Sequence, residues 1–448
     1  MLGEETFGRP RTGVENSPVS RRRFLGTTLG AVAAAGPLWA ARVPRPKVAA
    51  IFTYFHYRSH AHVILENFLE PYLFNGRPTD PGVDVVSFYT DQKSDMAAAV
   101  ASDYSIPIYP TIGEALCLGQ SELAVDAVLS IGEHGSYPTN ELGQHMYPRK
   151  RFFDQIAAVM RRSQRSVPVF NDKHLSYRWD WAHEMVQVAD ELKIPLMAGS
   201  SVPLAQRVPP LELPDAAPIR QAVSIHGGPV ESYDCHGLEV LQSLVEARRG
   251  SETGVSEVQF LDKQALWTAA SQGLWSVDLA KTAMRAGHEE RPLQSAARHG
   301  ILVHYRDGLI GLCLSASGGG TRWHFACRMA GRTEPAATSF YVGPWSNRNL
   351  FKALSHAIQH HFIHGQAPYP VQRTLLVTGI LEAAMRSRQA AGKPIRTPHL
   401  EFAYAPRDFS EMRERGATWQ IITDQTPEPK GIGRVAIPDG FGQPVRRG

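Results

Sequence analysis

The chain has 448 residues, a formal net charge of +4, 43% hydrophobic and 20% charged residues. At about 150 residues per domain this length allows two or three domains, and the composition excludes both a disordered chain and a polytopic membrane protein. The near-neutral charge gives no electrostatic case for a nucleic-acid partner, and 38 glycines with 32 prolines point to many turns rather than a helical bundle.

The N-terminus comes first. Ser20-Arg-Arg-Arg-Phe-Leu-Gly26 precedes an apolar stretch, 27–39, interrupted by Gly30, Gly36 and Pro37. This is similar to a twin-arginine export signal, whose apolar segment is too short to span a bilayer as a stable helix. Residues 1–41 are therefore expected to be a signal read by the twin-arginine translocase, with a periplasmic or other extracytoplasmic destination. Cys117, Cys235, Cys313 and Cys327 are too few and too scattered to staple the chain, and read as buried small apolar residues.

From 47 onward, short apolar runs alternate with helical patterns. Strands are expected at 47–52, 83–88, 106–109, 125–130, 167–170 and 195–198, with helices at 59–73, 94–102, 111–118, 150–162 and 179–192. Continuous apolar strands separated by helices are what a parallel sheet covered on both faces requires. Residues 46–201 thus read as a doubly wound, Rossmann-like α/β domain. A proline-rich connection, 203–218, leads to strands at 221–225, 257–261, 300–305, 309–315 and 322–327. Their alternation predicts an open, mostly antiparallel sheet with one wet face in a second α/β domain, 202–403. A helix is expected at 238–245, and another at 375–391, closed by Gly392. His356, His360, His361 and His364 read as the exposed face of an amphipathic helix. The Pro/Gly-rich remainder, 404–448, reads as a tail that is mobile or draped over the surface.

Several segments, in this order, resemble the Gfo/Idh/MocA family of oxidoreductases. Lys47-Val-Ala-Ala-Ile-Phe-Thr-Tyr-Phe-His-Tyr-Arg-Ser-His-Ala61 is similar to the family's first strand, glycine-rich turn and helix start, and Val125-Asp-Ala-Val-Leu-Ser-Ile-Gly132 to its fourth strand. Val169-Phe-Asn-Asp-Lys-His-Leu175 resembles the strand ending in Glu-Lys-Pro. Ser232-Tyr-Asp-Cys-His-Gly-Leu-Glu239 resembles the segment that opens the second domain, and Ile380 to Ser387 with Gly392 the last helix. The resemblance spans roughly 47–398. It implies an oxidoreductase acting on a small molecule of the sugar or polyol class, NAD or NADP as hydride carrier, and a homo-oligomer formed through the outer face of the open sheet.

Site residues follow from the same resemblance. Lys173 and His236 stand where a lysine holds the substrate hydroxyl and a histidine takes its proton. Asp234, two before His236, would orient the imidazole if the segment were a strand. Thr53, Tyr54, Arg58, Asp91, Gly132, Glu133 and His134 lie where the cofactor would, with Arg58 for a phosphate and Asp91 for a ribose hydroxyl. One departure is plain from the residues: a Gly-x-Gly-x-x-Gly turn lets backbone N–H groups approach a pyrophosphate, and here the three positions are Phe52, Tyr54 and Tyr57.

Two other readings stay open. One is a non-redox carbohydrate-binding protein on the same fold. The other is a metal-assisted hydrolase or lyase in which His60, His62, His134, His145, His174 and His236 gather with Glu133 or Asp172, although no ligand spacing specifies a metal site. No Gly-x-Ser-x-Gly elbow or P-loop is present.

Overall fold

The computed structural model describes residues 44–316 and 323–432. The expected export signal and the last part of the tail lie outside the described residues. No helix among those described is long and apolar enough to cross a membrane.

The first half runs β1 (Lys47–Phe52), α1 (His60–Leu69), β2 (Tyr72–Phe74), β3 (Arg77–Thr79), β4 (Asp84–Thr90), α2 (Asp95–Asp103), α3 (Ile112–Cys117), β5 (Ala127–Ile131), α4 (Arg149–Arg162), β6 (Val169–Asp172), α5 (Trp179–Leu192) and β7 (Leu196–Gly199). Five strands form a parallel sheet in the order β4-β1-β5-β6-β7. The order reverses next to β1, and ligands of open α/β sheets bind at such a switch point, outside the carboxyl ends of the strands. β1, β5, β6 and β7 are almost wholly buried, as their unbroken apolar runs require.

Two local expectations need correction here. The helix expected to reach 73 stops at Leu69, and Tyr72–Phe74 pairs with Arg77–Thr79 as a hairpin. Asn75 and Gly76 form its turn at φ 49° and 73°, the geometry that favours Asn-Gly. The strand expected at 106–109 contributes only an isolated bridge from Ile108 to Phe88.

The second half runs β8 (Gln206–Val208), β9 (Ile219–His226), α6 (Asp234–Val245), β10 (Val255–Leu261), α7 (Lys263–Ser271), α8 (Val277–Ala286), α9 (Leu293–Ala296), β11 (Ala297–Tyr305), β12 (Ile310–Ala316), β13 (Trp323–Met329), β14 (Ala336–Tyr341), α10 (Asn347–His364), α11 (Val371–Gln389) and β15 (Ile395–Arg396). Its eight-stranded sheet has the order β15-β10-β11-β12-β9-β13-β14-β8, with β9 and β12 parallel and every other pair antiparallel.

The expected wet face is not wet at the centre of this sheet. Alternate residues feed two cores: Ala222, Ile301, Cys313 and Phe325 face the α6–α11 side, while Val223, Leu302, Leu314 and Ala326 face a second cluster built with Leu266, Leu279 and Ala283 of α7 and α8. The short polar-looking helices between β10 and β11 cover the surface that alternation left to solvent. α10 differs too. It is largely buried, with His361 fully inside and its Nε2 3.1 Å from the Pro195 carbonyl. The described part of the tail is draped but anchored, with Phe409, Met412, Thr418 and Ile422 buried.

α11 holds the two sheets together. Leu376, Val377, Ile380 and Leu381 are buried, each stabilising by about 1.5–3 kcal/mol. Its polar residues reach both sides: Thr374 Oγ1 donates to the Ala198 carbonyl (3.1 Å), and Phe260 N donates to Ser387 Oγ (2.9 Å). Gly199 sits at φ 130°, and a Cβ there would lie 2.9 Å from Thr374 Oγ1, so only glycine allows this approach. Arg373 pairs with Glu246 at the end of α6, Nε to Oε2 being 2.9 Å, and both side chains are 1% exposed. Removing one partner of a buried pair strands the other charge. Arg373→Ala should therefore cost about 3–5 kcal/mol in chemical denaturation, and a loss below about 1 kcal/mol would show that the pair is not buried in solution.

Candidate functional site

Four loops leave the carboxyl edge of the parallel sheet in succession: Thr53 after β1, Glu133 after β5, Lys173 after β6 and Ser200 after β7. They converge. Lys173 Nζ donates to Glu133 Oε1 (2.9 Å), Arg149 at the start of α4 donates to Glu133 Oε2 (2.5 Å), and Thr53 Oγ1 donates to the Glu133 carbonyl (2.5 Å). Arg149 Nη1 also lies 3.1 Å from His174 Nε2, which is 3.6 Å from Glu231. Gly132 makes room for this, since a Cβ there would stand 2.6 Å from Arg149 Cγ.

Every member is buried, so each charge depends on its partner. Burial alone would raise the Glu133 carboxyl; the charges of Lys173 and Arg149 instead hold it well below its ordinary value. Burial opposes the Lys173 ammonium, and Glu133 more than restores it. Lys173 stays protonated.

His236 lies on α6, and the same ammonium acts on it: burial first, then the charges of Lys173 and His60, hold its pKa well below the usual imidazole value. It is thus a neutral base at neutral pH. Its Nδ1 is 2.6 Å from Ser200 Oγ, and Nε2 makes no hydrogen bond among the described residues. The expected orienting role of Asp234 is a correction. The segment is a helix, and Asp234 turns the other way, accepting from His226 Nε2 and His299 Nε2 (2.8 Å each) and from Glu231 N (2.8 Å). Ser200 takes the place at His236.

His60 Nδ1 pairs with Asp172 Oδ2 (2.6 Å), fixing the start of α1 to the end of β6, and its ring lies 5.1 Å from that of His134. Burial, and then the charge of His60, pull His134 down to about 3. Several of these residues stand on left-handed backbone: Lys173 at φ 62°, His134 at 71° and Glu231 at 68°. Such strain persists only where surrounding contacts over-determine it, and it concentrates at functional sites.

The histidines considered as metal ligands form no ligand-spaced group among the described residues, although His60 and His134 are neighbours. His62 Nδ1 accepts from Arg58 N (2.9 Å), His60 is taken by Asp172, and exposed His145 stacks beside Tyr147. Among the described residues, the cluster with ligand-like spacing is His226, Asp234 and His299. Both imidazoles there sit at hydrogen-bond distance from one carboxylate oxygen, which satisfies it as it stands.

Comparison with known proteins bears on the fold. No family model and no curated protein matches the sequence. Among solved structures, GenD2 from gentamicin A biosynthesis, in complex with NAD, aligns with a TM-score of 0.50 at 13% identity, over 79% of this chain and 97% of that one. Myo-inositol dehydrogenase from Lactobacillus casei, in complex with NAD(H) and myo-inositol, aligns with a TM-score of 0.50 at 14% identity, over 82% and 99%. The chain shares their fold.

The turn from β1 to α1 does not suit a dinucleotide. Phe52 and Phe55 are fully buried and pack edge to face at 5.5 Å. Three backbone donors of the turn and helix start are taken locally: His56 N and His62 N by Ser59 Oγ (3.1 and 3.3 Å), and Arg58 N by His62 Nδ1. The remaining sequence candidates are engaged as well. Arg58 pairs with Glu428, which also accepts from Tyr57 (2.8 Å), and Tyr54 lies against His56. Asp91 accepts from Arg151 (2.7 Å), Tyr89 (2.8 Å) and Tyr137 (2.6 Å). Arg149, Ser200 and Glu231 are site residues that sequence reading missed. A serine directly after the last strand was the available signal for one of them; the other two had none.

Two outcomes are expected. NAD or NADP at millimolar concentration should leave the thermal midpoint of the protein unchanged, and stabilisation by either would show that the turn opens. The second concerns pH. Burial, opposed by Lys173 and Arg149, pushes Glu231 up from 4.5 to about 7. A carboxyl that holds its proton more tightly when folded stabilises the acid side, and this contribution is lost as pH rises through about 7. Glu231→Gln should therefore gain about 2–3 kcal/mol relative to the parent protein between about pH 5 and pH 8; equal pH slopes would show an unshifted carboxyl.

Proposed function

We propose that this chain is a divergent member of the Gfo/Idh/MocA-type oxidoreductases that takes a hydroxyl of a sugar or polyol between Lys173 and His236. One observation carries the reading: at the carboxyl edge of the sheet a charged ammonium on strained backbone stands close enough to a neutral imidazole to hold its pKa down, and that imidazole has one nitrogen without a hydrogen bond among the described residues. The ammonium can hold a hydroxyl oxygen and stabilise negative charge developing on it, while the imidazole accepts the proton. Glu133 and Arg149 fix the ammonium, and Ser200 fixes the imidazole. The myo-inositol held by one of the two fold relatives supports the substrate class.

The closed β1–α1 turn favours a second reading, a non-redox carbohydrate-handling protein on the same frame. The same pocket serves either. Export by the twin-arginine translocase to the periplasm, two domains divided near residue 201 and self-association complete the proposal. Burial of the central sheet face by α7 and α8 means that such association would use another surface than an open sheet.

Calorimetric titration of the full-length protein with myo-inositol, glucose and a sugar acid tests the pocket. At least one should bind, and Lys173→Met and His236→Gln should each weaken it by more than about tenfold, the effect of losing one charge-assisted or buried hydrogen bond. Binding unchanged in both variants would end the reading. Hydride chemistry is then judged by product analysis with and without added NAD(P).

A further inference from the structure

A second group of buried charges lies apart from the sheet-edge pocket and shares no residue with it. Arg207 sits at the middle of edge strand β8, with its side chain turned inward and 7% exposed. Arg413, just past the short turn Ser410–Met412 of the C-terminal segment, reaches the same place with its side chain 8% exposed. Both meet a single carboxylate. Arg207 Nη1 lies 3.5 Å from Glu212 Oε2, and Arg413 Nη2 pairs with Glu212 Oε1.

Glu212 is a poor permanent counter-ion. Its side chain is 69% exposed and stands on a loop whose neighbours Pro210, Pro214, Asp215 and Ala216 are exposed too. Water screens its charge, so its net worth to the arginines is small. Arg207 donates from Nη1 to the Leu211 carbonyl (2.8 Å), while its Nε is buried with no partner among the described residues. Burial, followed by the like charge of Arg413, pulls the Arg207 guanidinium down to about 9 despite Glu212. Two buried cations therefore share one exposed carboxylate at pairing distance, with Asp408 attracting them from farther away.

They also face space. A cavity of about 600 Å³ opens on Arg207, Glu212, Asp215, Asp408, Arg413 and Glu414. Of its carboxylates besides Glu212, Asp408 accepts from Ser410 N and Oγ at 2.8 and 3.0 Å, Asp215 is exposed at the rim, and buried Glu414 accepts from Asn75 N, Gly416 N and Thr418 Oγ1. Arg207 and Arg413 are the buried cations of the lining, and neither Asp408 nor Glu414 forms an ion pair with them. Paired arginines match the planar oxygens of carboxylate and phosphate groups, and such charge-assisted bonds are the strong ones.

We propose that Arg207 and Arg413 form a binding site for a small anion bearing a carboxylate or phosphate group, with the Glu212 carboxylate as its built-in stand-in, displaced when the ligand enters. The proposal is independent of the chemistry at Lys173. Its sign is distinctive: removing a merely structural partner weakens the protein and creates no affinity, whereas removing a stand-in strengthens binding of its competitor.

The test is calorimetry on the full-length protein at low salt with two probes, inorganic phosphate and citrate. Glu212→Ala, and Glu212→Gln which keeps the shape, should bind one or both at least about tenfold more tightly than the parent protein. Arg413→Ala should lose that binding, Arg413→Lys should keep part of it, and added salt should weaken it. A response to phosphate alone assigns a phosphate group, and one to citrate alone a carboxylate. Absence of binding to either folded Glu212 variant, or binding that survives Arg413→Ala unchanged, would overturn the site.

Discussion

Glu133 is the point on which the candidate site turns. Its two carboxylate oxygens are divided between Lys173 and Arg149, and its carbonyl accepts from Thr53, so one residue binds the loops after β1, β5 and β6 and the start of α4. A buried carboxylate between two buried cations is costly to desolvate, and it repays that cost only when every partner is in place. The cluster is therefore cooperative. The same interaction sets the chemistry, because it keeps Lys173 charged, and the charge of Lys173 helps to keep His236 neutral.

The turn after β1 is built differently from a glycine-rich turn, on a chain that shares the fold of the two relatives. In a glycine-rich turn the backbone donors remain free for a phosphate. Here Ser59 and His62 take three of them, the rings of Phe52 and Phe55 pack beneath, and Glu428 sits on Arg58 and Tyr57. Fold and site are separable properties: the fold aligns at 13 and 14% identity with the fold relatives, while this turn is built on the buried rings of Phe52 and Phe55.

Much of the frame was legible in the sequence. The strand at 47–52 and the helix at 179–192 have the expected bounds, because buried parallel strands are continuously apolar and an amphipathic helix keeps its period. Lys173, Glu133 and His134 were placed correctly at strand ends, since that position follows from topology. Partners were not legible. Arg149 read as one residue of a basic run, and Asp234 was assigned to His236 on a strand offset that the helix removes. The coverage of the second sheet by α7 and α8 was missed because alternation reports only that two faces differ, and not that both are dry. The Asn75-Gly76 hairpin had a clear local signal that the helical periodicity before it obscured.

α11 has a mechanical consequence. Its side chains grip the last parallel strand through Thr374, the helix beneath the pocket through Arg373, and the antiparallel sheet through Ser387. Rotating one sheet against the other would tear all three at once. The frame thus behaves as a single stiff beam, so the edge that carries the Lys173 cluster keeps one fixed position relative to the antiparallel sheet.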